Sequence, residues 1–247
     1  MDESLRLKVA QMNKYDISKL LADNPYPGRG IIIGRSEDNQ RAVMLYFIMG
    51  RSENSRNRIF EKTDDGIRTK AHDPAKLTDP SLVIYNPVRV LDRQTIVTNG
   101  DQTDTITRFL KEGNDFRSAL RTRQYEPDAP NYTPRISGLI SADGSYTLSI
   151  LKSLNGNPDC CVRNFFEYFT PIPGLGHFIS TYQTDGDPLP SFEGEPITVD
   201  IKITDGLKNF AESVWKSLNE DNKVSLYARE ITIATGEISD LIINKNM

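Results

Sequence analysis

The sequence predicts a layered α+β fold, and two observations support this prediction. Short apolar runs rich in β-branched and aromatic residues recur along the chain and are separated by tight turns, as in antiparallel strands. Beyond the N-terminal segment, residues with helical spacing are gathered in two groups, near residues 103–123 and 205–219. Blocks of strands with helices gathered beside them are typical of layered α+β proteins.

The first predicted element is helical, and strands follow it. Residues 1–24 are amphipathic, because Leu5, Val9 and Met12 fall at i, i+4 and i+7, and they predict one helix or two short ones ending before Pro25. From there on the pattern becomes strand-like. The predicted strands are residues 31–33 and 42–49 (joined by a turn at 37–39), 83–90, 95–98, 135–151 (a hairpin around Ala142-Asp143-Gly144), 160–169, 176–183, 223–234 and 241–244.

A pair of consecutive helices is predicted after the turn at residues 99–101. Either Thr103 or Asp104 is expected to cap the first of them, which ends at Gly113. Asp115 opens the second, which continues through Arg123.

Residues 205–219 give the clearest helical pattern of the chain. Its apolar residues fall on one face, with Asp205 expected as the N-terminal cap. Trp215 lies on that face, and we therefore assign it to the core rather than to a ligand site.

Length and charge restrict the class of protein. The 247 residues suit one domain with a sizeable core, and no low-complexity linker divides them. No apolar run approaches the roughly 20 residues that span a bilayer, and the N-terminus lacks the apolar region of a signal peptide. We therefore expect a cytoplasmic protein with no membrane partner. The net charge of −4 and the pI of about 5.4 argue against nucleic acid as a partner.

Cysteine and histidine are too few for most metal or triad chemistry. His72 and His177 are the only histidines, and the only cysteines are the adjacent Cys160 and Cys161. These numbers argue against most zinc sites and weaken any nucleophile–histidine pair. The adjacent cysteines fit a strand with one thiol toward the core, and a redox pair is the alternative. We expect no metal and no organic cofactor.

Arginine without lysine is concentrated near the start of the chain. Arginine presents a permanently charged planar fork that binds phosphate or carboxylate in a bidentate manner. Glycine, serine and asparagine separate these residues, a composition that suggests a site for a small phosphorylated anion. The alternative is a solvated surface in which they pair with Glu37, Asp38 and Glu53. The arginines between Gly28 and Phe60 are Arg29, Arg35, Arg41, Arg51, Arg56 and Arg58.

Further polar groups lie where strands are expected to end. Residues 99–105 form a strand-to-helix turn, where free backbone N–H groups favour an anion. The alternative for Asp104 is a helix cap. Asn86 follows Tyr85 within a predicted strand, where a buried amide needs partners. Glu126 and Arg135 complete this set of polar candidates.

Several of these segments, in this order and spacing, resemble the archaeal-type IMP cyclohydrolase family. The resemblance is dense over residues 25–140, patchy over 175–196 and weak elsewhere. The segments that carry it are Tyr26-Pro27-Gly28-Arg29, Gly34-Arg35-Ser36, Arg51-Ser52-x-Asn54-Ser55-Arg56-Asn57-Arg58, Tyr85-Asn86-Pro87, residues 97–106 and Thr133-Pro134-Arg135-Ile136, with Ile179-Ser180-Thr181-Tyr182 further on.

The resemblance implies a fold and a domain organisation. The expected fold is a four-layer αββα sandwich of mostly antiparallel sheets, like that of N-terminal nucleophile hydrolases but without self-processing. Residues 25–247 would form a single IMP cyclohydrolase-like domain, and residues 1–24 would be a helical extension that the family pattern lacks. The resemblance leaves the oligomeric state open, a homo-oligomer included.

The resemblance also implies an activity. The family closes the purine ring of formamido-imidazole-carboxamide ribonucleotide (FAICAR) to IMP with loss of water, in de novo purine biosynthesis. Arg35 is predicted to stabilise the oxyanion, with Tyr85 and Glu126 as acid/base candidates. A non-catalytic purine-nucleotide-binding protein and a different amide hydrolase or cyclase are the alternatives. The predicted substrate-binding residues are Arg29, Arg51, Asn54, Arg56, Asn57, Arg58, Asn86, Asn99, Gly100, Asp101, Thr103, Asp104 and Arg135.

Overall fold

The structure is a computed structural model that describes residues 13–77, 80 and 83–246. The first half of the predicted N-terminal helical segment, residues 1–12, lies outside these residues. In the described part, Asp16 caps a short helix through the backbone N–H of Ser18, and this helix ends before Pro25 as predicted. The helices are α1 (Ile17–Ala22), α2 (Glu53–Arg56), α3 (Gln102–Lys111), α4 (Phe116–Arg121) and α5 (Leu207–Ser217), with a 3-10 turn at Pro74–Lys76.

The strands form two antiparallel sheets, so the predicted α+β class is confirmed. One sheet has the order β11-β10-β1-β2-β12-β13, and the other has the order β3-β4-β5-β6-β7-β8-β9. The strands of the described residues are β1 (Arg29–Arg35), β2 (Arg41–Met49), β3 (Arg58–Thr63), β4 (Gly66–Ala71), β5 (Val88–Leu91), β6 (Gln94–Thr98), β7 (Arg135–Ile140), β8 (Tyr146–Leu154), β9 (Asn157–Tyr168), β10 (Leu175–Ser180), β11 (Ile197–Asp200), β12 (Lys223–Thr232) and β13 (Ile238–Asn244).

Every residue of β1 is buried, because both faces of this strand are covered. Ile31 and Ile33 belong to a hydrophobic cluster that also contains Val97 and Ile136 of the other sheet. Ile32 points the opposite way, into a cluster with α1 and α5. Successive residues of a strand face opposite sides, so Arg29 and Arg35 share the face of Ile31 and Ile33. The outer side of the second sheet packs against α3 and α4 in a third cluster.

The structure corrects several predicted boundaries. The strand predicted from residue 83 begins only at Val88, so Tyr85 and Asn86 lie in a bend before β5. Pro87 between them and the strand has no N–H to donate to a ladder. The β3–β4 hairpin was not predicted, because the charged residues around its turn interrupt the apolar pattern.

Two helix caps also differ from the prediction. The N-cap of α3 is Asp101 rather than Thr103 or Asp104. The N-cap of α5 is Gly206 rather than Asp205, and it makes no side-chain capping bond. None of the helices in the described residues has the length and apolar character needed to cross a bilayer.

Candidate active site

Buried polar side chains meet where several strands of the two sheets begin or end. Arg29 begins β1, Arg58 begins β3 and Arg135 begins β7, while Tyr182 lies two residues after the end of β10. Glu126 belongs to the segment between α4 and β7, and its backbone N–H donates to the Thr133 carbonyl at 2.9 Å. Each of these side chains is at most 8% exposed, so the group is enclosed by protein.

Glu126 is a buried carboxyl group surrounded by arginines. Burial raises its pKa to about 7, and the nearby charges of Arg29, Arg135 and Arg58 oppose that rise. Burial also acts to lower the pKa of Arg29, but attraction to Glu126 and to the neighbouring tyrosines raises it above its usual value. A carboxyl group that titrates near neutrality can both accept and return a proton.

Arg29 and Arg58 have buried donors without acceptors. The Arg58 Nε donates to the Ser55 carbonyl at 2.7 Å and its Nη2 to the Met49 carbonyl at 3.4 Å. Its Nη1 and the Nε of Arg29 have no hydrogen-bond partner among the described residues. Burial, and then repulsion by Arg29, lowers the pKa of Arg58. Buried donors are rarely left unpaired, so this arrangement indicates a site for an anionic or oxygen-rich ligand.

Two tyrosine hydroxyls lie beside the arginines. The hydroxyl oxygens of Tyr46 and Tyr85 are 2.9 Å apart. Burial, and then the neighbouring Tyr85, raises the pKa of Tyr46 well above its usual value. Although Tyr85 lies outside a strand, its backbone N–H donates to the Thr69 hydroxyl at 2.8 Å and its carbonyl accepts from the Thr69 backbone at 2.9 Å. These bonds fix the phenol beside Arg29 and Arg58.

A third tyrosine closes the opposite side of the site. Tyr182 stacks on Tyr26 with ring centroids 5.9 Å apart, and the Arg51 guanidinium lies 5.3 Å from the centroid of Tyr26. Gly28 has φ of +77°, and a Cβ there would lie 2.5 Å from the Tyr182 ring. Only glycine therefore lets the chain pass this ring on its way into β1. Burial raises the pKa of Tyr182 to about 12.

Arg135 is held by the turn that precedes α3. Its Nη1 donates to Gln102 Oε1 at 2.6 Å and pairs with Asp101 at 2.8 Å. Asn99 holds the backbone of the same turn, because its amide donates to the Pro134 carbonyl and its oxygen accepts from the Ile136 N–H. A Cβ on Gly100 would lie 2.4 Å from Arg135 Nη1. The turn therefore sets the position of the guanidinium.

The structure does not bring Arg35 into this group. It lies at the far end of β1, where its Nη2 approaches the Asp143 carbonyl at 3.4 Å. Six residue steps of strand separate it from Arg29, about 20 Å. The prediction that these two arginines share one site is therefore wrong. Asp104 is also elsewhere, exposed on α3 and paired with Arg89.

The remaining predicted residues have mainly local partners. Asn57 exchanges hydrogen bonds with the backbone of Asp73, both at 2.7 Å. Arg56 donates to the Gly50 carbonyl at 2.8 Å, and Arg51 pairs with Asp185 at 2.8 Å. The Thr103 hydroxyl lies within the turn before α3, 3.0 Å from the Gly100 carbonyl. Asn54, in α2, and Asn86 are half-buried.

Sequence reasoning missed several residues of the site. Tyr46 is hidden in the apolar run of β2, and Tyr182 was matched to a family segment without a role. Thr133 was quoted only as part of a motif. Burial of a hydroxyl next to a charged group was the missing signal, and the sequence does not show it. No group of three or more metal-ligating side chains occurs in the described part of the chain.

The fold and the site define a class of protein: an α+β protein with a buried, arginine-rich site that holds one carboxyl group titrating near neutrality. Residues 26–236 match the family described as "IMP cyclohydrolase-like protein". The chain belongs to this family.

Three relatives are each named "IMP cyclohydrolase". The protein of Methanopyrus kandleri is 29% identical over 190 residues, which cover 68% of this chain and 89% of the relative. The protein of Methanosphaera stadtmanae is 29% identical over 162 residues, which cover 64% of this chain and 74% of the relative. The protein of Methanocella arvoryzae is 32% identical over 131 residues, which cover 51% of this chain and 63% of the relative.

Proposed function

We propose that this chain is an IMP cyclohydrolase that closes the purine ring of FAICAR to IMP, with loss of water, in purine biosynthesis. Membership of the family and the names of its relatives support this function. The observation that carries it in the structure is Glu126, a buried carboxyl group with a pKa of about 7 among Arg29, Arg58 and Arg135. The reaction needs such a group, because a proton must leave nitrogen and reach the departing oxygen.

The chemistry is intramolecular, so the protein has to fold the substrate and move protons. The carboxamide nitrogen attacks the formyl carbon and loses one proton, which the Glu126 carboxylate accepts. The formyl oxygen becomes anionic and takes a proton from the Tyr85 hydroxyl, which converts it to a hydroxyl group. Glu126 returns its proton to that hydroxyl, which leaves as water. The formamido nitrogen gives its hydrogen back to the Tyr85 oxygen as the ring C=N bond forms. Holding both reacting groups together supplies much of the acceleration.

Arg29 and Arg58 are the proposed donors for the developing oxyanion. Their unpartnered nitrogens are buried and already in place, so little reorganisation is needed when charge develops. Tyr85 lies beside both guanidinium groups and is the proposed second proton donor. Arg51 and Arg56 are more exposed, and we assign the substrate phosphate to them. Asn54, Asn86 and Arg135 are proposed to contact the base or ribose.

The finer fold assignment belongs to the same proposal. We infer an αββα order like that of N-terminal nucleophile hydrolases, supported by three hydrophobic clusters, one between the sheets and one under each group of helices. Residues 25–247 would form one domain, with residues 1–24 as an extension whose Ile17 and Leu21 pack against it. A biosynthetic role supports a cytoplasmic location.

A direct assay tests the function. Purified protein is mixed with FAICAR, and the hypoxanthine absorbance of IMP is followed against the uncatalysed rate. We expect ring closure well above that rate. If no acceleration occurs while IMP still raises the melting temperature, the chain is a nucleotide-binding protein and the proposed activity is wrong.

A further inference from the structure

Three side chains beside Glu126 form a hydrogen-bonded chain that ends in the active site. The Thr133 hydroxyl donates to Asp128 Oδ2 at 2.5 Å, and the Thr133 backbone N–H donates to Asp128 Oδ1 at 2.7 Å. The Thr133 hydroxyl oxygen lies 2.5 Å from the hydroxyl oxygen of Tyr182. Thr133 and Tyr182 are both buried, whereas Asp128 is half-buried at the outer end of the chain.

The chemistry of these groups fixes the direction of each hydrogen bond. Both oxygens of Asp128 accept from Thr133, so the single hydroxyl proton of Thr133 points toward Asp128. The Thr133 oxygen can then only accept from Tyr182, and the phenol proton points away from the active site. The remaining lone pair of the Tyr182 oxygen accepts no hydrogen bond from the described residues. Tyr182 is therefore presented to a ligand as an acceptor.

Two residues that can accept a proton or a hydrogen bond, Glu126 and Tyr182, are both hydrogen-bonded to Thr133. Thr133 links them, since its carbonyl accepts the Glu126 backbone N–H at 2.9 Å and its hydroxyl meets Tyr182. Both also lie within the electrostatic range of Arg29. A primary carboxamide nitrogen carries two N–H groups, one that is lost in ring closure and one that remains in the product.

We propose that Tyr182, held as an acceptor by Thr133 and Asp128, receives the N–H that the carboxamide nitrogen retains. This inference rests on the proposed function, in which Glu126 takes the other proton of the same nitrogen. The retained hydrogen becomes the N1–H of IMP. AMP has no hydrogen on N1, so its ring nitrogen would face the Tyr182 lone pair. The three residues thereby select the oxo purine over the amino purine.

The test compares nucleotide selectivity in matched variants. Thr133→Val keeps the shape of the side chain but frees the Tyr182 proton to turn inward, whereas Thr133→Ser keeps the hydroxyl. Dissociation constants for IMP and AMP are measured by calorimetry for each protein. We expect wild type and Thr133→Ser to prefer IMP by at least about tenfold, and Thr133→Val to lose most of that preference. An unchanged IMP/AMP ratio in Thr133→Val would overturn the inference.

A second variant covers the case in which Thr133→Val does not fold. Tyr182→Phe keeps the stacking on Tyr26 and removes the hydroxyl, so it is expected to reduce the IMP preference to the same extent. In the double variant the Thr133 change should have no further effect, because it acts only through Tyr182. Additive effects would show that Thr133 acts elsewhere and would overturn the inference. The FAICAR assay of the wild type tests the proposed function separately, since nucleotide selectivity is measured without turnover.

Discussion

Glu126 differs from an ordinary carboxyl group because it is buried and its pKa is raised. Burial raises its pKa to about 7, and as the proposed general base it would act in the ionised form. For the wild type we therefore expect kcat/KM to rise with pH up to about 7 and then to level off. Glu126→Gln should lower kcat by at least about 100-fold and remove this dependence. Measuring kcat/KM against pH for both proteins checks this. If Glu126→Gln kept the wild-type pH dependence, another residue would have to be the general base.

The same pKa has a consequence for stability. Since the pKa of Glu126 is higher in the folded protein than its usual value of 4.5, folding favours the protonated form. The contribution of Glu126 to the free energy of unfolding is therefore fully present below pH 4.5. It is lost as the pH rises to about 7, which lowers the free energy of unfolding by about 3 kcal/mol. Chemical denaturation at several pH values should show this loss in the wild type and a flatter dependence in Glu126→Gln. Parallel curves would contradict the pKa assignment.

Arg58 illustrates a conflict between stability and function at one residue. Its guanidinium is fully buried, and no carboxylate among the described residues pairs with it. Replacing a buried, incompletely compensated charge with an apolar side chain of similar size is often neutral or stabilising. We expect Arg58→Met to melt at the wild-type temperature or above while its KM for FAICAR rises at least about tenfold. A variant that unfolds but binds substrate normally would show a structural role instead.

At the scale of elements, the sequence predicted those helix ends and turns that are determined by residues close together in the chain. The cap of α4 by Asp115, the end of α3 before Gly113 and the β7–β8 turn at Gly144 all follow from residues within one turn of the chain. The β3–β4 hairpin could not be predicted in this way, because its strands contain alternating charges and are fixed by pairing across the sheet. Tertiary contacts, rather than local preference, decide such strands.

The site was predictable in part for the same reason. The sequence predicted Arg29 and Arg58 from arginine composition, and Tyr85 and Glu126 from polar residues in and after the predicted strands. Arg35 was misplaced because sequence proximity does not say which end of a strand a side chain occupies. The hydroxyls of Tyr46 and Tyr182 meet the hydroxyls of Tyr85 and Thr133 only when distant segments of the chain pack together.

The turn before α3 is the element that positions Arg135, and Gly100 tests it. A Cβ at this position would press on Arg135 Nη1 and, at 2.7 Å, on Gln102 Oε1. Gly100→Ala should therefore displace the guanidinium, lower the melting temperature and reduce kcat/KM by about tenfold or more. Gly113→Ala is the control, because its φ of +77° makes alanine cost about 1 kcal/mol in open space far from the site. Equal activity in the two variants would mean that Arg135 does not need this turn.

At the scale of the whole molecule, the candidate active site lies where the two sheets meet, so its geometry depends on how they are joined. Asn244 of β13 joins them at one edge. Its oxygen accepts from the Phe60 backbone N–H of β3 at 2.8 Å and from the Ser225 hydroxyl at 2.7 Å, and its amide donates to the Phe60 carbonyl at 3.0 Å. One side chain thus completes the backbone bonding of an edge strand in the opposite sheet.

Removing this joint should affect stability more than chemistry. The Arg58 side chain, two residues from Phe60, is held by the carbonyls of Ser55 and Met49, and the strands that carry Arg29 and Arg135 are central in their sheets. We expect Asn244→Ala to lower the free energy of unfolding by about 2–3 kcal/mol, since it leaves backbone groups of Phe60 without partners. Asn209→Ala, on the exposed face of α5 with a single bond to the Asp205 carbonyl, should change it by less than about 0.5 kcal/mol. Denaturant titration measures both values, and kcat/KM at 25 °C should stay near wild type in each. A large loss of kcat/KM in folded Asn244→Ala would instead mean that this joint also holds the start of β3, and with it Arg58, in place.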